Sequence, residues 1–301
     1  MTAFFEAMFF SPKWYHYLVM ILLFPLSLVY GTVMFIRRVV TPKNYFTLPI
    51  VSVGNLQVGG SGKTPFVIAL ASRYDDVTII SRGYGRQSVG LVEVSFKGKV
   101  AVDVKQSGDE PMFMAESLPN ASVIVSEDRS IAIELAMREG AKLIILDDGF
   151  NRVEIEKFEI LLEPACIVNT LPFPAGPLRE FAFTKRYADI VAKEETEFKR
   201  VVEYENLTDK MLLVTAISNP KRLDAYLPKG VVGNIYLEDH AYFDEAQLKA
   251  EMLAQDASSL LVTQKDAVKM KAFKLPLSLM KLKLELDDTL FIEVDRYIKN
   301  F

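Results

Sequence analysis

The stretch Val51–Pro65, V-S-V-G-N-L-Q-V-G-G-S-G-K-T-P, constrains the fold of this chain more than any other. Ile50, Val51 and Val53 read as a short buried strand that breaks into a glycine-rich turn. Gly62-Lys63-Thr64 then opens a helical pattern continued by Phe66, Val67, Ala69 and Leu70. Strand, glycine loop and helix in that order make a phosphate cradle: loop N–H groups point at oxyanions, the helix dipole favours negative charge, a lysine reaches the β/γ-phosphates and a hydroxyl holds Mg²⁺. Lys63 and Thr64 are the candidates for those two tasks, with Asn55, Gly59, Gly60, Ser61, Gly62 and Pro65 completing the nucleotide set. Pro65 is tolerated because the first helical turn has N–H groups to spare. Gln57 stands where G-x-x-x-x-G-K-[ST] has its first glycine, and Gly59 and Gly60 supply flexibility nearer the lysine.

Composition narrows the chemistry further. The 301 residues suffice for an α/β domain and a smaller second one. A net charge of −4 gives no global basic field for nucleic acid. One cysteine and two histidines exclude an internal disulfide and a Cys/His zinc set. Cys166, in E-P-A-C-I-V, reads as a buried, inert thiol on a strand, and the chain belongs in a reducing compartment that contains ATP.

Trp14 to Ile36 contains no Asp, Glu, Lys or Arg. A helix over Leu18–Ile36 would be roughly 30 Å long, enough to cross a hydrocarbon core. Trp14, Tyr15 and Tyr17 would sit at one interface, and Arg37, Arg38 and Lys43 would mark the other as cytoplasmic. Pro25 and Gly31 weaken a straight span; a kinked helix lying in one leaflet is a second reading and a buried helix of a soluble core a third, with membrane attachment favoured.

After Lys43 strand and helix patterns alternate, the signature of a parallel sheet with crossover helices. Strands are expected at Val77–Ser81, Ala121–Val125, Lys142–Leu146, Phe158–Leu162, Ala165–Val168 and Asp189–Ala192. Leu91–Val104 reads as a hairpin turning at Lys97-Gly98-Lys99, and helices are expected at Asp109–Leu118 and Ser130–Glu139. The charged stretch Lys193–Arg200 reads as a linker to a second α/β run that begins at Met211. The expected division is an anchor at 1–43, a core at 44–200 and a C-terminal lobe at 201–301.

Several residues could do chemistry. Asp147 and Asp148 follow a strongly apolar strand, where acids hold Mg²⁺ opposite a phosphate loop; D-D-G is also an ordinary turn. Asp109 opens a predicted helix, where a carboxylate is favoured as a cap in any case. His240, in L-E-D-H-A-Y-F, could orient and deprotonate a hydroxyl nucleophile. Arg82, Arg86, Arg179 and Lys265 could meet phosphate groups or simply form surface ion pairs.

Together these motifs resemble the tetraacyldisaccharide 4′-kinase (lipid A 4′-kinase) family, membrane-associated P-loop enzymes. The resemblance spans nearly the whole chain. It rests on the apolar N-terminus, Val53–Pro65, S-R-G-Y-G-R at Ser81–Arg86, G-D-E-P at Gly108–Pro111, E-D-R at Glu127–Arg129 and L-D-D-G-F at Leu146–Phe150. P-A-G-P-L-R-E at Pro174–Glu180, Asp239-His240 and T-Q-K-D at Thr263–Asp266 complete it. Two departures stand out: Asn151-Arg152 where the family commonly has Gln-His, and Gln264 where it has glutamate.

The resemblance implies a P-loop NTPase-type parallel sheet core flanked by helices, with an N-terminal anchor helix and a smaller C-terminal α/β lobe. It implies transfer of phosphate from ATP, with Mg²⁺, to the 4′-hydroxyl of an acylated glucosamine disaccharide 1-phosphate at the cytoplasmic face of the bacterial inner membrane. In that family's pattern Asp109 and His240 form the base dyad, Lys63 and Thr64 bind phosphates and Mg²⁺, and Asp147 and Asp148 lie near the metal. Arg179 and Glu180 then belong to the lipid-substrate side, along with Arg82 and Arg86. The bilayer is the expected partner; no nucleic acid and no obligate protein partner are expected. A membrane-bound switch ATPase with a deviant Walker loop is the alternative, but such proteins need a lysine before the two glycines, and that position is Val58.

Overall fold

The computed structural model describes residues 3–59, 62–217 and 219–301; Gly60 and Ser61 of the expected nucleotide set lie outside them. In chain order the N-terminal part carries α1 (Ala3–Phe10), α2 (Trp14–Val40), β1 (Ile50–Asn55), α3 (Lys63–Ala71) and β2 (Val77–Ser81). Next come β3 (Val92–Phe96), β4 (Lys99–Val100), α4 (Val104–Ser107), α5 (Asp109–Ser117), β5 (Ser122–Val125), α6 (Arg129–Arg138) and β6 (Leu143–Asp147). The remainder is β7 (Phe158–Glu163), β8 (Ile190–Lys193), β9 (Phe198–Glu205), β10 (Met211–Thr215), β11 (Val231–Tyr236), α7 (Glu245–Ala254), β12 (Ser259–Thr263), α8 (Gln264–Ala267), β13 (Leu277–Leu286) and α9 (Asp288–Lys299). The fold is mixed α/β, built on parallel strands with helical crossovers and carrying an N-terminal apolar helix.

The chain divides into two compact units, each assembled from separate stretches. The first comprises Met1–Lys63, Ala141–Lys199 and Leu286–Phe301, the second Thr64–Gly140 and Arg200–Glu285. In the first, four parallel strands run in the order β6-β1-β7-β8. Every residue of β1 and β6 is buried, so these strands are apolar on both faces instead of alternating, as parallel sheets covered on both sides require. α9 belongs to this unit: Asp287 caps it, Leu290, Phe291 and Val294 are buried, and the Ile50 N–H donates to the Tyr297 hydroxyl at 3.3 Å.

The second unit holds β4-β3-β5-β2, with β2 and β5 parallel and β3 antiparallel to both β4 and β5. It also holds the sheet β11-β10-β12-β13-β9, in which β11, β10, β12 and β13 pair in parallel. β9 and β13 are absent from the sequence reading. The alternation L-S-L-M-K-L-K-L-E-L was the available signal for β13, and the charges interleaved in β9 mimic a solvated linker.

Two other expectations need correction. Ala165–Val168 is not a strand: Pro164 follows β7, and Asn169 organises a loop, donating from Nδ2 to the Ala175 carbonyl at 3.1 Å and accepting from the Leu171 N–H at 2.9 Å. Cys166 therefore sits on an exposed loop and is not a buried thiol.

α2 runs through Pro25 as one helix of 27 residues. Its most apolar window has a mean hydropathy of 2.3 and is 17% buried, so by length and composition it can cross a membrane. Gly31, a weak helix former, has a packing role: a Cβ there would lie 2.7 Å from the Phe181 ring. Ser27 accepts the Ala175 N–H at 2.8 Å, and Met20 packs with Met8, Phe9 and Ala175.

The last turn of α2 is bound more firmly still. Arg38 donates from Nε and Nη2 to the Glu180 carboxylate at 2.7 and 2.8 Å, with Nη2 also reaching the Phe150 carbonyl at 2.9 Å. Its guanidinium lies 4.2 Å from the Phe150 ring centroid. Both side chains of the pair are buried. Arg38→Met would leave a buried carboxylate uncompensated, and the expected cost is about 3–5 kcal/mol. Chemical denaturation should show it as an earlier unfolding transition, and an unchanged midpoint would contradict the account.

Candidate functional site

Each unit carries one cluster of the expected residues. In the first, β1 ends at Asn55 and the chain turns through Gly59, whose φ of +96° is left-handed, towards Gly62 at φ +82°. Backbone bonds from Val58 N–H to Pro177 O and from Arg179 N–H to Leu56 O, 2.9 and 2.8 Å, lay the P-A-G-P-L-R-E loop along this turn. Lys63 Nζ donates to Asn55 Oδ1 at 3.0 Å and lies 3.5 Å from Asp148 Oδ1. Arg179 Nη1 meets both Asp148 oxygens at 2.9 Å. Desolvation pushes the Asp148 carboxyl up, but Lys63 and Arg179 outweigh it and hold the group below the usual carboxylate range. The result is two cations converging on one carboxylate beside a glycine turn, where an incoming phosphate could take over part of their charge.

Asp147 ends β6 in register with Val53 and is buried, whereas Asp148 takes the left-handed φ of +54° that turns the chain. Among the described residues no group of three or more His, Cys, Asp or Glu could hold a metal. A cation here must therefore bring most of its own ligands. Mg²⁺ does, since it uses one or two carboxylates and completes its octahedron with water and phosphate oxygens. The all-oxygen pair Asp147-Asp148 fits that ion. Glu180, expected on the substrate side, has its carboxylate engaged by Arg38.

In the second unit, Thr64 is buried in α3 and Pro65 is half-buried. Arg82 is exposed after β2. Arg86 is committed locally: it binds Glu127 of the E-D-R motif and donates to the Gly90 carbonyl at 2.6 Å and to Ser88 at 3.2 Å. Those contacts join two motifs that the sequence lists separately.

The unit also brings together Asp109 and His240, which stand 131 residues apart in sequence. His240 Nδ1 lies 2.9 and 3.0 Å from the two Asp109 oxygens. Its Nε2 faces away and stands 3.7 Å from Asp239. Gly108 at φ +86° introduces α5, placing Asp109 in the first turn and burying it. His240 takes a left-handed φ of +64°, held by its N–H to the Ala216 carbonyl at 3.0 Å.

Asp266 supports that loop. Its Oδ1 accepts the Ala216 N–H at 3.1 Å, and its Oδ2 accepts the Thr215 and Thr263 hydroxyls, both at 2.7 Å. T-Q-K-D is thus a scaffold for the histidine. Its Lys265 pairs with Glu110 at 3.0 Å and lies 3.7 Å from Asp109. Burial would raise the Asp109 carboxyl, but the His240 hydrogen bond and the charges of Lys265 and Lys269 prevail and hold it well below the ordinary range.

Sequence reasoning missed Lys269, one turn beyond Lys265, and Tyr84, whose ring centroid lies 5.2 Å from that of His240. The aromatic residue inside R-G-Y-G-R was the available signal for Tyr84. It missed Arg38 as well, because a charge after an apolar span reads as an interface marker.

The comparisons with known proteins agree along the chain. A family model described as Tetraacyldisaccharide-1-P 4′-kinase matches residues 19–208 and 194–298. Tetraacyldisaccharide 4′-kinase of Helicobacter pylori strain J99 is 45% identical over 300 residues, 99% of this chain and 96% of that protein. The enzyme of the same name from Aliarcobacter butzleri strain RM4018 is 42% identical over 305 residues, 98% and 97% of the two chains. A crystal structure of the "apo" form of LpxK from Aquifex aeolicus in complex with ATP matches with a TM-score of 0.76 at 28% identity, covering 93% of this chain and 99% of that one.

Proposed function

The chain belongs to the tetraacyldisaccharide-1-P 4′-kinase family, and on that membership we propose that it phosphorylates the 4′-hydroxyl of a tetraacylated glucosamine disaccharide 1-phosphate, using ATP and Mg²⁺, in lipid A biosynthesis. The structural observation that carries the reading furthest is the Asp109–His240 hydrogen bond. A hydroxyl acceptor needs a group that orients it and takes its proton, and an imidazole steered by a carboxylate is suited to that task. The substrate 4′-oxygen attacks the γ-phosphorus, the bond to the β–γ bridging oxygen breaks, ADP leaves, and the proton passes to His240 Nε2. Asp109 orients the ring through Nδ1. Lys63 and Arg179 supply positive charge to the phosphoryl oxygens, which spread charge in the transition state. Asp147, Asp148 and Thr64 would hold Mg²⁺, which would supply neutralising charge to the phosphates.

In the same reading Asn55, Gly59, Gly62 and Pro65 line the nucleotide, with Gly60 and Ser61, while Arg82, Arg86, Arg179 and Glu180 serve the sugar-lipid side, Glu180 by holding its neighbour in place. Residues 1–43 attach the enzyme to the cytoplasmic face of the inner membrane, 44–200 carry the nucleotide residues and 201–301 contribute His240. The apolar α2 supports that attachment, since a multiply acylated acceptor resides in a bilayer. Val58, in the place of the switch ATPases' signature lysine, speaks against that alternative.

The test is transfer from γ-labelled ATP to the tetraacyl disaccharide 1-phosphate in detergent micelles, with a lipid-free control. Label on the disaccharide is the expected result. ATP hydrolysis with no labelled lipid would sink the kinase reading in favour of the switch ATPase.

A further inference from the structure

Lys269 has no role in that reaction, yet it touches both halves of the dyad's framework. Its side chain and that of Asp109 are each 2% exposed. Nζ lies 3.1 Å from Asp109 Oδ2 and donates to the Ala241 carbonyl, also at 3.1 Å. The Tyr242 and Phe243 rings stand 5.8 Å from the ammonium and close it off. Burying a carboxylate and an ammonium together is costly for each ion unless their attraction offsets it. Here one ammonium ties Asp109 to the loop segment adjoining its imidazole partner.

We propose that Lys269 is a positioning residue for the base: it holds the Asp109 carboxylate against His240 Nδ1 and ties it to the Ala241 carbonyl next to the imidazole, so that Nε2 is kept in place to take the hydroxyl proton. The inference rests on the dyad reading above. The other groups facing the pair are Lys265 and Glu110, Asp239 near Nε2, Tyr242, whose hydroxyl burial and Asp109 push up, and the Tyr84 ring. Asp266 also feels Lys269, but its carboxylate is already occupied by Thr215, Thr263 and Ala216. Lys265 is the internal control, since it is farther from Asp109 and already paired with Glu110.

Lys269→Gln removes the charge and can keep a hydrogen bond to Ala241, and Lys269→Met removes both. The readout is steady-state kinetics on the full-length, detergent-solubilised protein, with kcat separated from the KM for ATP and thermal stability measured beside it. Both lysine variants should lower kcat by about 10–10²-fold while the KM for ATP stays nearly unchanged. Lys269→Arg should restore kcat, and Lys265→Met should lower it less. An unchanged kcat in either folded Lys269 variant overturns the proposal. An unchanged kcat in His240→Ala overturns instead the reading of His240 as the base.

Discussion

His240→Ala should lower kcat by about 10²–10⁴-fold, the usual contribution of a positioned general base, while leaving ATP affinity nearly unchanged. Asp109→Asn should fall in the same range. An amide in place of the carboxylate can present either its oxygen or its NH₂ to Nδ1, so it no longer selects the tautomer that leaves Nε2 free. Because the two side chains act through one hydrogen bond of 2.9 Å, their losses should not multiply. The double variant should be about as slow as the worse single one. Steady-state kinetics with saturating lipid, paired with nucleotide binding measured separately, decide the matter. An unchanged kcat in His240→Ala would return the pair to a purely structural role, and multiplicative losses would mean that the two residues serve different steps.

Lys63→Met should cost about 10²–10³ in kcat, the scale seen when one preorganised charge or donor is removed from a developing anion. The ground state will suffer too, so KM for ATP should rise. Without nucleotide, Lys63 shares Asp148 with Arg179 and rests on Asn55. Removing it leaves Arg179 as the carboxylate's partner, so folding should be little disturbed and the loss should be kinetic. Normal thermal stability with a collapse in turnover is the expected combination. Full activity in the folded variant would remove the lysine from phosphate recognition.

Local chemistry made much of this legible in the sequence. A buried apolar run before a glycine turn and G-K-T needs no tertiary information, nor does a helix opening at Asp109 with acids and Pro111 in its first turns. Asp109 and His240 were both visible as candidates, but their meeting depends on a loop that Asp266 holds from another strand end. Partners this distant leave no periodic trace. The same limit hid Lys269, one lysine among many, and Arg38, whose apparent task as a flanking charge concealed a buried ion pair. Ala165–Val168 failed for a different reason: a short apolar run satisfies strand propensity, and only the Asn169 bonds reveal that the backbone is used otherwise.

The bond from Ile50 to Tyr297 spans 247 residues, and it sets an order of events during synthesis. At ribosomal rates of about 5–20 residues per second, β1 emerges on the order of ten to fifty seconds before the helix that tethers its first residue. Through that interval the apolar α2 is already out, and its own unit is still missing the stretch that follows Leu286. The nascent chain thus exposes an apolar helix before its first unit has a finished core, and trimming α9 should harm the strand made early more than the strands made beside it.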